Sequence, residues 1–485
     1  MLRESSNIGT IKHEVLYEVA KLVFQGELEE KKEALPLEMI PGPQANFRCC
    51  IYKEREIIRQ RIRLAEGKSA SPGSENKNIV QVISSACEGC PITRFVVTDN
   101  CQKCMSKKCQ ASCNFSAISM LRDRAHIDPT LCKECGKCSQ ACPYNAIADL
   151  MRPCKRSCPV DAISMDENNI VVIDEDKCIN CGSCIKDCPF GAISDRSFMV
   201  DVIRLMENCD IPVYAMLAPA WEGQFGGQVS VGSMTEALKE LGFDGMYEVA
   251  LGADFVAASE AKEWSEALEE GKKKTTSCCP AFVKMIRKHY PTLMDHISTT
   301  ISPMAATAKL IKAMHPEAVC VFIGPCIAKK EEVLDTIDLG GADYALTFDE
   351  LESMMRAKEI EPKTFGEHLQ QGSIYGKKFC ISGGVTASVV QSLKETTGDT
   401  NISVRVCNGA LECKKALALL KAGKLPEDFM EGMACEGGCS NGPGSILTGR
   451  VANVNREKLF AQADNREIHE NLKTYDQYEF SMHRK

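Results

Sequence analysis

Three short segments in the second half of the chain carry residues able to do chemistry. They are Thr276-Ser277-Cys278-Cys279-Pro280, the stretch from Pro325-Cys326 through Lys329 to Glu332, and Met433-Ala434-Cys435-Glu436-Gly437-Gly438-Cys439. Far apart in sequence, they offer four thiolates besides Cys278, the number an iron–sulfur cube takes. Small or rigid neighbours let backbone approach a cofactor closely. Soft iron prefers thiolate, and a coordinated thiol gives up its proton outright. Clustered negative ligands then need compensation, and Lys329 stands three residues after Cys326. Cys435 and Cys439 are spaced i, i+4, so a helical turn would put both sulfurs on one face. Adjacent Cys278 and Cys279 cannot easily reach one cube together, which leaves Cys278 as an extra thiol with a mobile proton.

A second population of cysteines fills residues 79–195. Four times a cysteine is followed, after three residues, by Ala-Ile, at Cys113, Cys142, Cys158 and Cys188. In the last three the next residue is Pro, which gives the closing signature of a bacterial-type ferredoxin half, C-x2-C-x2-C-x3-C-P. Two halves are complete: Cys132, Cys135, Cys138, Cys142 and Cys178, Cys181, Cys184, Cys188. A third, Cys101, Cys104, Cys109, Cys113, has a two-residue insertion before its third ligand. The fourth keeps only Cys154 and Cys158, and Cys87 with Cys90 supplies a pair of the right spacing. In two-cluster ferredoxins the last cysteine of each half ligates the other half's cluster. That rule groups Cys101, Cys104, Cys109 with Cys142, and Cys132, Cys135, Cys138 with Cys113. It then groups Cys178, Cys181, Cys184 with Cys158, and leaves Cys87, Cys90, Cys154 with Cys188. Four 4Fe–4S clusters result, with one ferredoxin unit inserted into another. Structural zinc also uses C-x2-C pairs, but zinc sites rarely show a 2-2-3 rhythm closed by Cys-Pro.

In this order the three catalytic segments resemble the signature segments of the iron-only (FeFe) hydrogenases, over about residues 80 to 485. The resemblance implies an H-cluster, a 4Fe–4S cube joined to a two-iron unit with carbon monoxide, cyanide and a bridging dithiolate. It implies cube ligation by Cys279, Cys326, Cys435 and Cys439, the last also bridging to the two-iron unit. It implies a hydrogen bond from Lys329 to a cyanide, with Glu332 orienting the lysine or its loop, and a pocket wall at Ala218-Pro219-Ala220. The implied proton relay runs through Cys278, Glu260, Ser298 and Glu263. For Glu260 and Glu263, spaced i, i+3, the plain alternative is a solvated helix face, and Lys330 reads as solvated. The implied activity is reversible interconversion of dihydrogen with protons and electrons. Electrons would be exchanged with ferredoxin or a similar carrier, and maturation enzymes would supply the two-iron unit. The chain departs from the most familiar members at Gly324, where they have Met, at Met304, where Gln is expected, and in Ser440-Asn441-Gly442-Pro443-Gly444. These departures resemble the group B branch and touch the cofactor's surroundings, which tune its potential. Two competing readings share the resemblance. A hydrogen sensor should carry an output domain, for which the tail leaves little room. An iron–sulfur assembly factor should lack the Cys278-Cys279 pair and the Lys329 segment.

The elements that must position these residues read as an α+β ferredoxin-like region followed by an α/β, two-lobed catalytic domain. Residues 1–78 form a helical region, with amphipathic Ile11–Phe24, a charged helix over 54–66, packing thiols at Cys49 and Cys50, and a linker at 71–74. Residues 79–195 hold the four clusters and 196–445 the catalytic domain. Strands are expected over 212–217, 319–323, 378–382 and 403–406, alternating with helices such as 234–241 and 410–422, which suggests parallel sheets with covered faces. Ligands gather at the carboxyl ends of such strands, where Cys326 lies. The tail, 446–485, resembles the small-subunit segment that wraps the hydrogenase catalytic domain. Cys209, Cys320, Cys380, Cys407 and Cys413 lack paired spacing and read as buried small hydrophobes, and Trp221 and Trp264 as packing residues. A formal charge of −8 without a Lys/Arg block argues against a nucleic-acid surface. No apolar run is long enough for a bilayer, and Met1 to Thr10 is polar. Cysteines clustered at two- and three-residue spacings, among 28 in all, point to a reducing cytoplasm in an organism that can live without oxygen.

Overall fold

The computed structural model describes residues 8–74, 76–87, 89–91, 93–208, 210–363, 370–398 and 402–484. The amphipathic N-terminal pattern becomes the helix Ile8–Phe24, which buries Val15, Leu16, Val19 and Val23. That face lies on the helices Met199–Asn208 and Phe348–Ala357, in a core shared with Leu217, Met234 and Leu351. The N-terminal helices therefore join the core of the catalytic lobe. Cys49 and Cys50 are exposed rather than packed, because they sit outside this core just ahead of the helix Ile51–Ala65.

The ferredoxin-like region is two nested modules. In the inner one, Phe95–Val97 pairs antiparallel with Ile147–Asp149, and Ile118–Met120 with Ala125–Ile127. The outer module closes around it by pairing Val80–Val82 with Ile193–Asp195, and also contains the hairpin of Ile163–Met165 with Val171–Ile173. The outer module rests on the catalytic domain. Lys288 Nζ donates to the carbonyl of Cys178 at 2.8 Å, Lys414 Nζ to that of Pro159 at 2.9 Å, and the Asn180 amide to Glu331.

The catalytic domain has two parallel sheets. The first runs in the order Gly245–Glu248, Val213–Leu217, Val319–Ile323, Tyr344–Leu346, with Val319 opposite Val213 and Ile323 opposite Leu217. The second places Phe429–Met433 between Lys274–Thr275 and Val404–Asn408. The strand expected over 378–382 is absent. The Ser373 side chain caps the helix Ile374–Lys378 by accepting from the Gly376 amide, and Gly383, in the left-handed region, opens the next helix, Gly384–Thr396. Phe379 and Cys380 are buried by that turn instead. Trp264 stacks on Phe429 with ring centroids 4.4 Å apart, and Trp221 is buried, both as packing residues. Cys320, Cys380, Cys407 and Cys413 are buried, whereas Cys209 lies outside the described residues. The tail forms the helices Gly449–Phe460 and Ile468–Leu472, then runs back to the segment that follows the first catalytic cysteines, where His483 bridges Thr300.

Lys330 is not solvated. Its side chain is 1% exposed, and Nζ bridges Asp195 at 2.7 Å and Glu350 at 2.8 Å. Lys12 reaches the same Asp195 at 3.2 Å and Asp349 at 3.3 Å. One step along the helix Ile327–Thr336 turns the side chain by about 100°. Lys329 thus faces the site while Lys330 enters the joint between N-terminal helix, outer module and catalytic sheet. Among the described residues, no helix is long and apolar enough to cross a membrane.

Candidate active site

All three catalytic segments leave the carboxyl ends of parallel strands. Thr276 to Cys279 follow Lys274–Thr275, Cys326 follows Val319–Ile323, and Cys435 follows Phe429–Met433. Cys279 and Cys326 each stand at the N-cap of the next helix. Between Cys435 and Cys439 the chain makes a glycine turn rather than the expected helical turn. Gly437 and Gly438 have φ of +79° and +89°, and a Cβ on Gly438 would lie 2.5 Å from the Cys380 carbonyl oxygen. The Gly437 amide donates to Asn408 Oδ1 at 2.5 Å, which ties the turn to the neighbouring strand.

These loops surround one cavity of about 90 Å³, lined by Cys278, Cys279, Cys326, Lys329, Cys435 and Cys439. Ala218 and Pro219 form part of its wall, as the sequence suggests, together with Phe322 and Met304. Gly324 has a packing reason, since a Cβ there would come within 2.7 Å of Phe322 Cζ and 2.8 Å of Ala218 Cβ. The thiols are bare toward the cavity and shielded from bulk solvent. Burial pushes Cys326 up to about 12, with Cys279 adding to the shift. Burial first, then the negative charge of Cys326, raise Cys435 and Cys439 well above the ordinary thiol range. Four thiolates held this close repel each other unless a cation lies between them, so the donor set fits an iron cube that supplies the missing positive charge. Among the described residues, no three His, Cys, Asp or Glu side chains converge tightly enough to hold a single ion. The sulfurs ring an open volume instead.

Lys329 is held by Glu332, with Nζ to Oε2 at 2.6 Å on the same helix face. Glu332 sits behind the lysine and does not line the cavity. Burial opposes its ionisation, but Lys329 and then Arg484 outweigh that and keep its carboxyl below the usual range. Arg484 was not legible from sequence. Its Nη2 donates to the Ser277 carbonyl at 2.7 Å, and its charge faces Glu332, Glu260 and Cys278. Cys380 is a further thiol on the cavity wall besides Cys278 and the four facing thiols, and from sequence it reads only as a packing residue.

The remaining relay candidates lead away from Cys278. Glu260 Oε1 accepts from the Ser277 amide at 3.1 Å, while buried Oε2 has no partner. Burial raises this carboxyl to about 8, and the negative charge of Glu263 adds to the shift. Ser298 Oγ donates to Glu263 Oε2 at 2.6 Å. Its one proton is thereby used; its oxygen accepts from the Thr300 amide at 3.2 Å and keeps a second lone pair for protonated Glu260 nearby. Burial works against ionisation of Glu263, but hydrogen bonds from Ser298, the Thr299 amide and Lys274 outweigh it. Two carboxyls on one helix are thus held in opposite protonation states at neutral pH.

The structure also gathers the sixteen ferredoxin-type cysteines into neighbouring sets. Cys109 faces Cys142 and Cys104; Cys138 faces Cys132 and Cys113. Cys178 faces Cys181 and Cys158, with Cys184 beside them. Cys154 faces Cys188, Cys90 and Cys87, and burial followed by these thiols raises it to about 11. Cys101 and Cys135 lie in the loops of the first two sets. Cys181 lines the active cavity itself and faces Cys279, so the outer module abuts the site.

Comparison with known proteins agrees with this geometry. The model of the iron-only hydrogenase large subunit, C-terminal domain, matches residues 211–443. An LdpA Fe–S cluster-binding domain matches 148–199 and a 4Fe–4S binding domain 125–148. The periplasmic Fe hydrogenase large subunit of Nitratidesulfovibrio vulgaris is 31% identical over 396 residues, covering 69% of this chain and 90% of that protein. Iron hydrogenase 1 of Clostridium pasteurianum is 28% identical, covering 66% of this chain and 64% of its own length. A solved structure titled for stepwise H-cluster assembly in an FeFe-hydrogenase aligns with a TM-score of 0.46 at 21% identity, over 58% of this chain and 94% of its own.

Proposed function

The chain belongs to the iron-only hydrogenase family, and from that premise we propose that it interconverts dihydrogen with two protons and two electrons. Cys279, Cys326, Cys435 and Cys439 would hold the cube of an H-cluster, with Cys439 also gripping the two-iron unit. The observation that supports this reading most is the meeting of these four thiols, Cys278 and Lys329 around one shielded cavity. When bound, the H-cluster supplies heterolytic cleavage or formation of the H–H bond and takes up the electrons.

The chain's own residues do the rest. Lys329, clamped by Glu332, presents an ammonium to the cavity that suits a cyanide ligand. Cys278 carries a proton between the cavity and Glu260, whose Oε2 is unengaged. Ser298 passes it on to Glu263, which Lys274 and the Thr299 amide hold at the outer end. The sets given above would hold four further 4Fe–4S clusters, which would supply electron transfer to a ferredoxin or similar carrier. Dedicated maturation enzymes install the two-iron unit. The thiol-rich composition supports a cytoplasmic location; the relative from Nitratidesulfovibrio vulgaris is named as periplasmic.

Anaerobic maturation followed by infrared spectroscopy and dye-linked hydrogen uptake tests the proposal. Bands of iron-bound carbon monoxide and cyanide together with uptake are expected. Full 4Fe–4S content without those bands refutes it, and bands without turnover favour the hydrogen sensor.

A further inference from the structure

Of the three ferredoxin-type halves with four cysteines, the first alone is lengthened, by two residues between its second and third cysteines. In the other two, Gly136 and Gly182 stand in the left-handed region and open the short helix that bears the third cysteine. In the first half Lys107, with φ of +42°, takes that place ahead of the helix Lys108–Ala111. The added residues are therefore Met105 and Ser106, pushed outward between Cys104 and Lys107. Met105 is 98% exposed, an unusual position for a side chain of its type. Exposed Lys103, Lys107 and Lys108 surround it. Among the described residues none of the three pairs with a carboxylate, and Lys103 Nζ donates only to the Arg122 carbonyl, at 2.7 Å. Tyr144, two residues after Cys142, is also half-exposed.

Location adds a second argument. Cys181 of the outer module reaches the active cavity, whereas the side-chain hydrogen bonds and ion pairs of the inner module stay within residues 94–156 among the described residues. The inner module is thus the end of the cluster chain remote from the cavity. It carries eight Lys/Arg against five Asp/Glu over residues 93–150, in a chain whose formal charge is −8. Transient redox encounters are small, weak and steered by charge. A flexible, polarizable methionine ringed by cations suits such a contact.

We propose that the loop from Lys103 to Lys108 docks a small acidic protein that carries single electrons on an iron–sulfur centre. Met105 is the apolar contact and the lysines are the counter-charges. Each encounter moves one electron between the carrier and the cluster of Cys101, Cys104, Cys109 and Cys142, one partner being oxidised as the other is reduced. Two encounters and two protons balance one dihydrogen. The hydrogenase reading supplies only the destination of these electrons, so the test is run on chain loaded with 4Fe–4S clusters and lacking the two-iron unit.

Stopped-flow bleaching of those clusters is followed with a reduced, strongly acidic plant-type ferredoxin and, separately, with reduced methyl viologen. The variants are K103N with K107N, since asparagine tolerates positive φ, together with K108Q, and M105S alone. Iron content and the reduced-cluster EPR signal confirm that the loop still holds its cluster. At low ionic strength the triple variant is expected to slow ferredoxin-driven bleaching by about tenfold, within the range of electrostatic steering. Viologen-driven bleaching should be unchanged, and salt should erase the wild-type advantage. Should the variant assemble poorly, the salt dependence of the wild type decides, and a salt-independent ferredoxin rate overturns the proposal. Equal ferredoxin rates in variant and wild type overturn it, as does an equal loss on neutralising the exposed Lys421 and Lys424 of the catalytic domain. Loss of binding to phosphatidylserine vesicles, with ferredoxin rates intact, would assign the loop to a membrane surface and likewise overturn it.

Discussion

Replacing Glu260 with glutamine tests the relay through its thermodynamics as well as its rate. Folded, this carboxyl titrates at about 8 against an ordinary 4.5, with burial as the main cause. Each unit corresponds to about 1.4 kcal/mol, so the full difference is about 5 kcal/mol. Because Glu260 binds its proton more tightly when folded, its contribution is complete below pH 4.5 and drains away as pH rises through 8. Glutamine resembles the protonated acid in shape and does not titrate. E260Q should therefore match the wild type near pH 4.5 and gain on it by about 1.4 kcal/mol per unit through the middle of the window. Anaerobic denaturant unfolding of both proteins at pH 5.5, 6.5 and 7.5 reads this double difference, in which other titrating groups cancel. The carbonyl stretch of a protonated carboxylic acid should appear at pH 7 in the wild-type-minus-variant infrared spectrum. Turnover should fall by about 10²–10⁴, the usual worth of a positioned proton-transfer group, while the carbon monoxide and cyanide bands stay in place. Parallel stability curves, together with no carboxylic acid band, would show that Glu260 is ionised at neutral pH and refute the reasoning.

Three further perturbations have expected outcomes. K330M takes the cation from buried Glu350 and leaves Asp195 with Lys12 alone, so it should cost about 3–5 kcal/mol of stability, read as a fall in thermal midpoint. A variant as stable as wild type would mean the pair is dispensable. G438A puts a Cβ 2.5 Å from the Cys380 carbonyl at a φ of +89°. It should lower cube content at the active cavity while leaving the ferredoxin-type clusters intact, as separated by EPR. C154A should remove about four irons per chain, one cube's worth, measured against protein after reconstitution. Unchanged iron would dissolve the grouping of Cys154 with Cys87, Cys90 and Cys188.

Cluster chemistry was legible because it constrains spacing directly. A cube needs thiols a few residues apart on a tight loop, and that requirement leaves the 2-2-3 rhythm visible at Cys132 to Cys142 and Cys178 to Cys188 without any fold. The same spacing, with the exchange of last cysteines, proposes a grouping in which Cys154 joins Cys188, and the structure has those two thiols facing each other. Strand alternation likewise exposed the sheet that carries Cys326, since its strands are buried on both faces and read as apolar runs. The segment 378–382 looked equally strand-like because Phe379 and Ile381 alternate. There, local capping by Ser373 and the left-handed Gly383 won over the period-2 pattern.

What sequence withheld are residues whose partners arrive from elsewhere in the chain. Lys329 and Lys330 are neighbours with identical side chains, and nothing local distinguishes the one that lines the cavity from the one in a structural ion pair. Their difference comes from the helical step between them and from Asp195 and Glu350, 135 residues before and 20 after Lys330. Arg484 is the stronger case. It lies next to the last residue in a polar tail, yet the tail's return past Thr300 brings its guanidinium against the Ser277 carbonyl and into the field of Glu332 and Glu260. A cation at that point favours ionised Glu332, which in turn fixes Lys329. It also opposes the burial that keeps Glu260 protonated. The carboxyl's value of about 8 is therefore a balance in which a residue 224 positions away takes part. Removing that charge should push Glu260 higher still and loosen the clamp on Lys329, so the tail tunes the relay and the cavity lysine through a single side chain.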